Sequence, residues 1–326
     1  MSNTTLALCP TNRRYCQYQG TPIVMVSSTE HYGALLNAVF DYKHYMQTLK
    51  ENSLNLMRVF TGTYVEWPGY YDIKGNSLAP QPGQFLSSWA RSETPGYPGG
   101  GNLFDFSHFN PIYFSRLKKM ISHAEKHSII IELTLFCVCY DDEIWRLSPF
   151  NPSNNIQHIG PKHRVHELTL QDEHLMSVQK NYIEKMVTVC NDFDNIYFEI
   201  CNEPWMEPYG TSQTDQWEQW VADIIASTEL SLSQKHLIAR NYRTGEKPHV
   251  QDPVSIVNFH YSVKGHEPAG SEVASLHDMG YPISFDETGD DNDNDRYRRE
   301  GWEHLLAGGG IYNPLDYSFD AGAENG

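Results

Sequence analysis

Tyr197-Phe198-Glu199-Ile200-Cys201-Asn202-Glu203-Pro204-Trp205 decides how this chain reads. Residues 196–200 are a short, mostly apolar run of strand-forming side chains, and through Cys201 they pass directly into Asn-Glu-Pro. Proline has no N–H to give to a ladder, so the strand stops where the Glu203 carboxylate begins. A carboxylate at the C-terminal end of a strand in a parallel α/β fold stands on the face where such folds do chemistry. Asn202 beside it offers an amide to a substrate hydroxyl. The bland alternative is a strand-end turn with a solvated glutamate.

Outward from this strand, apolar runs alternate with amphipathic segments in both directions. Runs at 23–26, 54–60 and 129–136 precede it, and runs at 236–239, 254–259, 283–285 and 310–312 follow. Between them, Tyr42, Tyr45, Met46 and Leu49 repeat at helical spacing, as do Leu117, Met120, Ile121 and Ala124. Tyr182, Ile183, Met186, Val187 and Cys190 mark a third helix, and Trp217, Trp220, Val221, Ile224, Ile225 and Thr228 give the cleanest stripe. Strands alternating with helices imply right-handed βαβ units and a parallel sheet. Eight such units close a barrel; a doubly wound open sheet gives the same alternation. No glycine-rich fingerprint follows the first strand, which counts against a nucleotide-binding open sheet.

The expected fold is therefore α/β, one (β/α)8 TIM barrel over residues 1–326, lacking or replacing its last helix because the tail after 312 has no helical stripe. A helix between Arg240 and Pro253 is also hard to see. Two connections, 61–107 and 137–170, are long and follow strands, which puts them on the active face. Their aromatic residues (Trp67, Tyr70, Tyr71, Trp89, Tyr97, Tyr140, Trp145) argue for order and function.

Composition excludes several partners. With 24 Lys+Arg against 41 Asp+Glu the formal charge is −17, which repels phosphate backbones and makes nucleic acid an improbable partner. No apolar run is long enough for a membrane span, and the opening residues do not read as a secretory signal. The compartment and the oligomeric state stay open. The six cysteines contain no CxxC pair and are expected as buried thiols, with a Cys9–Cys16 bridge as the lesser alternative.

A second strand-end carboxylate lies in Pro282-Ile283-Ser284-Phe285-Asp286-Glu287-Thr288-Gly289, three strands after the first. Alone it reads equally well as an N-cap cluster, since Asp290, Asp291, Asp293 and Asp295 crowd behind it. Together the two stretches resemble glycoside hydrolase clan A, the cellulase-like barrels that include family 5. That resemblance implies that Glu203, after strand four, is the acid/base and Glu287, after strand seven, the nucleophile of a retaining hydrolase. It spans nearly the whole chain and is sharp only around the two glutamates.

Further positions match the clan's pattern. Arg58, inside Leu56-Met57-Arg58-Val59-Phe60, is similar to the clan arginine that keeps the nucleophile ionised; its other reading, a structural ion pair, needs nearly the same geometry. Strand six ends Asn258-Phe259-His260-Tyr261, with His260 expected inward and Tyr261 at the rim. His31 is a candidate for a substrate hydroxyl or a structural histidine. Trp205, Trp67 and Trp145 are candidate stacking platforms; the chain departs from family 5 at the strand-eight tryptophan, for which Tyr312 or Tyr317 (the latter outside the residues described below) would have to substitute. Trp302 is a further candidate for the cleft floor.

The resemblance implies a carbohydrate substrate, cleaved by double displacement; the long aromatic loops suggest an open cleft and so favour endo action on a β-glucan or mannan. Arg58 and a strand-six donor are expected to hold Glu287 charged while Glu203 is raised. No cofactor or metal is expected: there is no HExxH, and the run at 290–295 lacks the glycine and the terminal glutamate of an EF-hand loop. The competing readings are an exo-acting β-glycosidase of the same clan and a non-catalytic carbohydrate-binding barrel.

Overall fold

The computed structural model describes residues 5–27, 31–73, 75–206, 211–243, 245, 247–260, 269–288 and 294–315. The chain opens with a small antiparallel sheet of β1 (Ala7–Leu8), β2 (Cys16–Tyr18) and β3 (Thr21–Ile23). Next come β4 (Met25–Val26), α1 (Tyr42–Glu51) and β5 (Leu56–Phe60), then an antiparallel pair, β6 (Trp89–Pro95) and β7 (Asn102–Phe109). These lead into α2 (Pro111–Lys126), β8 (Ile130–Cys137), the short α3 (Asp142–Trp145), α4 (Glu173–Cys190), β9 (Ile196–Asn202) and α5 (Thr211–Glu229). The C-terminal part contains β10 (Ile238–Arg243), β11 (Ile256–His260), α6 (Ala269–Ser275), β12 (Ile283–Thr288), α7 (Asn294–Leu306) and β13 (Ile311–Pro314).

Helix starts follow local chemistry. Asp41 accepts from the amides of Lys43 and His44, both at 3.1 Å, and Asp172 from those of His174 and Leu175, both at 3.0 Å. Each satisfies donors that the first helical turn leaves open. Asn110 does the same for Ile112, with Pro111 in the first turn, where its missing N–H costs nothing.

Eight strands pair in the order β4-β13-β12-β11-β10-β9-β8-β5, all parallel. The two ends of this sheet meet through Asn55. Its Oδ1 accepts from Val26 N at 2.8 Å, its own amide donates to Val26 O at 3.0 Å, and Ser27 Oγ donates to Leu56 O at 2.7 Å. The result is the expected eight-stranded barrel. β5, β8 and β9 are buried along their whole length, because one face meets helices and the other the barrel interior.

The N-terminal small sheet was not legible as such. Ile23, expected in the first barrel strand, pairs antiparallel with Cys16 instead. Leu6, Cys16, Tyr18 and Met25 pack on Leu56, Ile130 and Ile256 at the strand starts and close that end of the barrel. The opposite end is left for chemistry. All six cysteines are buried thiols.

No helix lies among the described residues between β10 and β11. On the outer side of β13, α7 supplies cover: Tyr312 donates its hydroxyl to Tyr297 O at 3.0 Å. Gly301 permits this approach, since a Cβ there would sit 3.0 Å from the Tyr312 ring.

The two long connections carry structure. The stretch 61–107 holds β6 and most of β7, and 137–170 holds α3. They bind each other: Phe104 N donates to Asn154 O at 2.8 Å, Ile156 N to Phe104 O at 3.0 Å, and Tyr97 OH to Leu147 O at 2.8 Å. Trp67 Nε1 donates to Glu143 O at 2.8 Å.

Candidate active site

The barrel interior is polar where the strands end. Arg58, Glu132, Glu199, Asn241, Asn258 and Asp286 are all buried and enter from β5, β8, β9, β10, β11 and β12. Arg58 is the hub. Its Nη2 donates to Glu199 Oε2 and to Asn202 Oδ1, both at 2.7 Å, its Nη1 to Glu287 Oε1 at 2.5 Å, and its Nε lies 3.0 Å from Asp286 Oδ2. The rings of Tyr32 and Phe60 flank the guanidinium, each centroid at 5.1 Å. Burial opposes the charge, but Asp286, Glu199 and Glu287 overcome it and hold Arg58 well above its ordinary pKa.

Glu203 and Glu287 lie at the ends of β9 and β12, and each is almost fully buried. One oxygen from each, with one nitrogen of His260, falls within a group whose members are all within 4.8 Å of one another. His260 Nδ1 is 3.4 Å from Glu203 Oε1 and 3.4 Å from Glu287 Oε2. Its Nε2 is 2.8 Å from Asp286 Oδ1. Tyr140 donates its hydroxyl to Glu203 Oε2 at 2.6 Å and accepts from Asn202 Nδ2 at 2.8 Å.

In a regular strand, neighbouring side chains point to opposite faces. Yet Asn202 and Glu203 share the Tyr140 hydroxyl, and Asp286 and Glu287 share Arg58. The backbone explains this. Glu203 has φ 48° and Glu287 φ 57°, both in the left-handed region, and the β12–β13 register shifts between Asp286 and Thr288. A non-glycine residue held there costs of order 1–3 kcal/mol, which the surrounding ion pairs must offset.

The site holds more carboxylates than cations, so it must hold protons. Burial, then repulsion from Glu199 and Asp286, pushes Glu132 well above the carboxylate range. Burial also raises Glu287, to about 7, against the pull of His260 and Arg58 and with help from Glu203 and Asp286. Burial acts the same way on Glu203, but the hydrogen bond and charge of His260, with Tyr140 and Arg58, draw it below its ordinary value. His260 and Arg58 thus pull both glutamates toward their charged forms, against burial. The contacts expected for Arg58 and His260 are present, and His260 lies equally close to both glutamates.

Other expected site residues separate into two groups. Trp205 is half-buried, with its ring edge-on to His260 at 5.7 Å. Trp67 is half-buried, and Arg146 covers its ring at 5.1 Å. The remainder correct the sequence reading. Trp145 is buried in the main core, because α3 folds it inward. His31 is buried against Phe40 and Tyr45, with ring centroids at 5.1 Å from each, so its structural reading holds. Tyr312 faces α7 and not the cleft, because alternation along β13 turns it outward. Trp302 lies 61% exposed on α7, away from any cleft floor. Tyr261 and residues 290–293 lie outside the described residues.

Sequence reasoning missed Glu199, Glu132, Asp286, Asn241, Asn258 and the role of Tyr140. Glu132 and Glu199 carried the signal already used for Arg58, a lone charge inside an apolar strand that demands a partner. Asp286 was hidden at the head of an acid-rich run. Tyr140 had no local signal.

Two groups have metal-like spacing, Glu199 with His260 and Asp286, and Glu203 with His260 and Glu287. Arg58 lies 2.5–3.0 Å from Glu287, Glu199 and Asp286, so a divalent ion would meet a fixed cation among its ligands. That arrangement disfavours a metal at these carboxylates.

No protein-family model and no curated sequence matches the chain. Solved structures do. The endo-1,4-β-mannanase from Rhizomucor miehei aligns with TM-score 0.64 at 14% identity, over 96% of this chain and 90% of that one. The β-mannanase from the blue mussel Mytilus edulis aligns with TM-score 0.59 at 11% identity, over 97% and 92%. A protein described as a glycoside hydrolase from Bacteroides vulgatus aligns with TM-score 0.63 at 15% identity; 96% of this chain spans 55% of that one. The fold is thus the (β/α)8 barrel of these structures. The described helices include none long and apolar enough to cross a membrane.

Proposed function

We propose that this protein is a retaining glycoside hydrolase of clan A, in which Glu203 is the acid/base and Glu287 the nucleophile. The observation that carries the reading is the pairing of the two strand-end carboxyls, with one oxygen of each within 4.8 Å of the other. Retaining glycosidases keep their two carboxyls about 5–5.5 Å apart, whereas inverting enzymes leave room for a water between them. The short spacing also speaks against a non-catalytic barrel.

In the first step Glu287 attacks the anomeric carbon as the bond to the leaving oxygen breaks, and Glu203 gives that oxygen its proton. A glycosyl ester on Glu287 results. Esterification removes the Glu287 charge, so Glu203, now ionised, takes a proton from water as water attacks the ester. Arg58 and His260 attract the negative charge that returns to Glu287 on release. Asn202 and Trp205 border the acid/base and are the nearest candidates for sugar contacts.

The substrate class we propose is β-linked mannan, cleaved internally, with β-glucan as the second choice. Two of the aligned structures are described as mannanases. The test is hydrolysis of β-mannan, β-glucan and xylan by the wild type, Glu203→Gln and Glu287→Ala. Wild-type cleavage of one polymer is expected, with a loss of about 10²–10⁴-fold or more in each variant. Full activity in either variant overturns the assignment.

A further inference from the structure

Beside Trp205, between the ends of β9 and β10 and the start of α5, lies a partly open recess of about 320 Å³. Trp205, Asp215, Glu218, Arg240, Tyr242 and Arg243 line it. Its size is at the lower end of small-molecule sites, which suits one sugar unit and not a chain. Successive side chains of β10 point to opposite faces, so Asn241 enters the barrel while Arg240 turns toward α5 and meets Glu218.

We propose that this recess is a sugar subsite next to the reacting one, in which Glu218 and Arg240 together hold hydroxyls of a neutral pyranose. The proposal rests on the hydrolase reading given above. Arg240 donates twice to one oxygen of Glu218, from Nε at 3.1 Å and from Nη2 at 2.9 Å, both to Oε2. Its Nη2 also donates to Asp215 Oδ1 at 2.5 Å. Because both bonds converge on Oε2, Glu218 Oε1 is left buried without a hydrogen-bond partner, on a residue only 1% exposed. A buried acceptor without a donor is costly, and a native structure keeps one where a ligand or an ordered water completes it.

The pair offers a donor and an acceptor to the same ligand. Arg240 spends Nε and Nη2 on the two carboxylates, which leaves Nη1 to donate to one sugar hydroxyl. Glu218 Oε1 accepts from another. Trp205 adds a flat apolar wall against which a pyranose face can lie. Asp215 and Glu218 stand against Arg240 and Arg243, so the recess as a whole carries no net charge. A uronate would bring a third carboxylate to Asp215 and Glu218, and the recess therefore selects a neutral sugar.

The recess adjoins the glutamate pair through one aromatic ring. Trp205 is edge-on to His260 at 5.7 Å, and His260 Nδ1 is 3.4 Å from an oxygen of each glutamate. Around the barrel the recess lies on the β10 side of Glu203, while Tyr140 follows β8 on the other side. A sugar held here is therefore a unit other than the one that reacts, and Glu218 and Arg240 act on affinity and on where a chain is cut.

The experiment is isothermal titration of mannohexaose, cellohexaose and hexagalacturonate into Glu287→Ala, with and without Glu218→Gln. It is run at pH 8, above the value of about 7 to which burial raises Glu218, so that Oε1 is an acceptor. In Glu218→Gln, Arg240 keeps the amide oxygen on its own side and turns the NH₂ to the place of Oε1, replacing an acceptor with a donor. Glu287→Ala should bind a neutral hexasaccharide and not hexagalacturonate, and Glu218→Gln should weaken that binding about tenfold. In the otherwise wild-type enzyme Glu218→Gln should raise KM about tenfold and leave kcat within about twofold. The double variant Glu218→Met/Arg240→Met removes both halves of the buried pair, which such sites often tolerate, and should weaken binding at least as much. Equal affinity with and without Glu218→Gln, a preference for hexagalacturonate, or no binding of either neutral hexasaccharide overturns the subsite. If Glu203→Gln and Glu287→Ala lose activity while Glu218→Gln binds like its parent, only the subsite has failed; if they keep activity, the hydrolase reading has.

Discussion

Tyr140 donates its hydroxyl to Oε2 of Glu203 across 2.6 Å, from a loop 63 positions earlier in the chain. The phenol is held by Asn202 and by edge-on contacts with Tyr64 at 5.9 Å and Tyr71 at 6.3 Å. A hydrogen bond to a charged carboxylate is worth about 1.5–3 kcal/mol and favours the ionised form. Tyr140→Phe should therefore raise the Glu203 pKa and move the basic limb of the kcat/KM profile to higher pH. At the optimum, kcat/KM should fall about 10–100-fold. An unmoved limb would separate Tyr140 from the acid/base.

Trp205 follows Glu203 by two positions and is half-buried beside His260. A sugar ring stacking there would gain from a large flat apolar surface at small entropic cost. Trp205→Ala should raise KM for mannan about tenfold while kcat changes less, as measured in steady-state assays. An unchanged KM would remove it from the sugar's path.

Arg58 is fully buried, and its loss would leave Glu199, Asp286 and Glu287 without their shared cation. Removing one partner of a buried ion pair costs about 3–5 kcal/mol. Arg58→Met should lose that much in urea unfolding and lose activity with it. Arg58→Lys keeps the charge but not the planar fork, so it should recover part of the stability and little of the activity. Wild-type stability in Arg58→Met would contradict the network.

Glu218 on α5 offers a test of buried charge outside the glutamate pair. Burial raises it to about 7, against the pull of Arg240, whose Nη2 lies 2.9 Å from Oε2. An acid raised in the folded state is stabilising below its unfolded pKa and loses that contribution as pH rises through the folded one. The window here is from about 4.5 to about 7. The stability of Glu218→Gln relative to wild type should improve between pH 5 and pH 8, by up to roughly 3 kcal/mol. Melting curves at the two pH values check it, and a difference that does not change, or that worsens, would contradict the buried-charge account.

Alternation of apolar runs and helical stripes was enough to read a parallel α/β sheet, because each βα unit must bury one apolar face and so writes its period into the sequence; its closure into a barrel came with the resemblance carried by the two glutamate stretches. The strand-end glutamates were legible for a related reason: a carboxylate closing an apolar run, followed at Glu203 by proline, marks where the strand ladder stops. What escaped was set by folding across distance. Glu199 looks like a blemish in an apolar strand until Arg58 is seen against it. Tyr140 acquires its role only because a long connection folds back over β9. Trp145, His31 and Tyr312 misled because an aromatic side chain reads the same whether it lines a cleft or fills a core.

The central claim is that Glu203 and Glu287 act as a close pair in a double displacement. ¹H NMR of the sugar anomer first released, recorded within the first minutes of mannan cleavage before mutarotation, tests it most directly. The account predicts the β anomer, with the configuration of the cleaved bond retained. Initial release of the α anomer would mean a single inverting displacement and would contradict it.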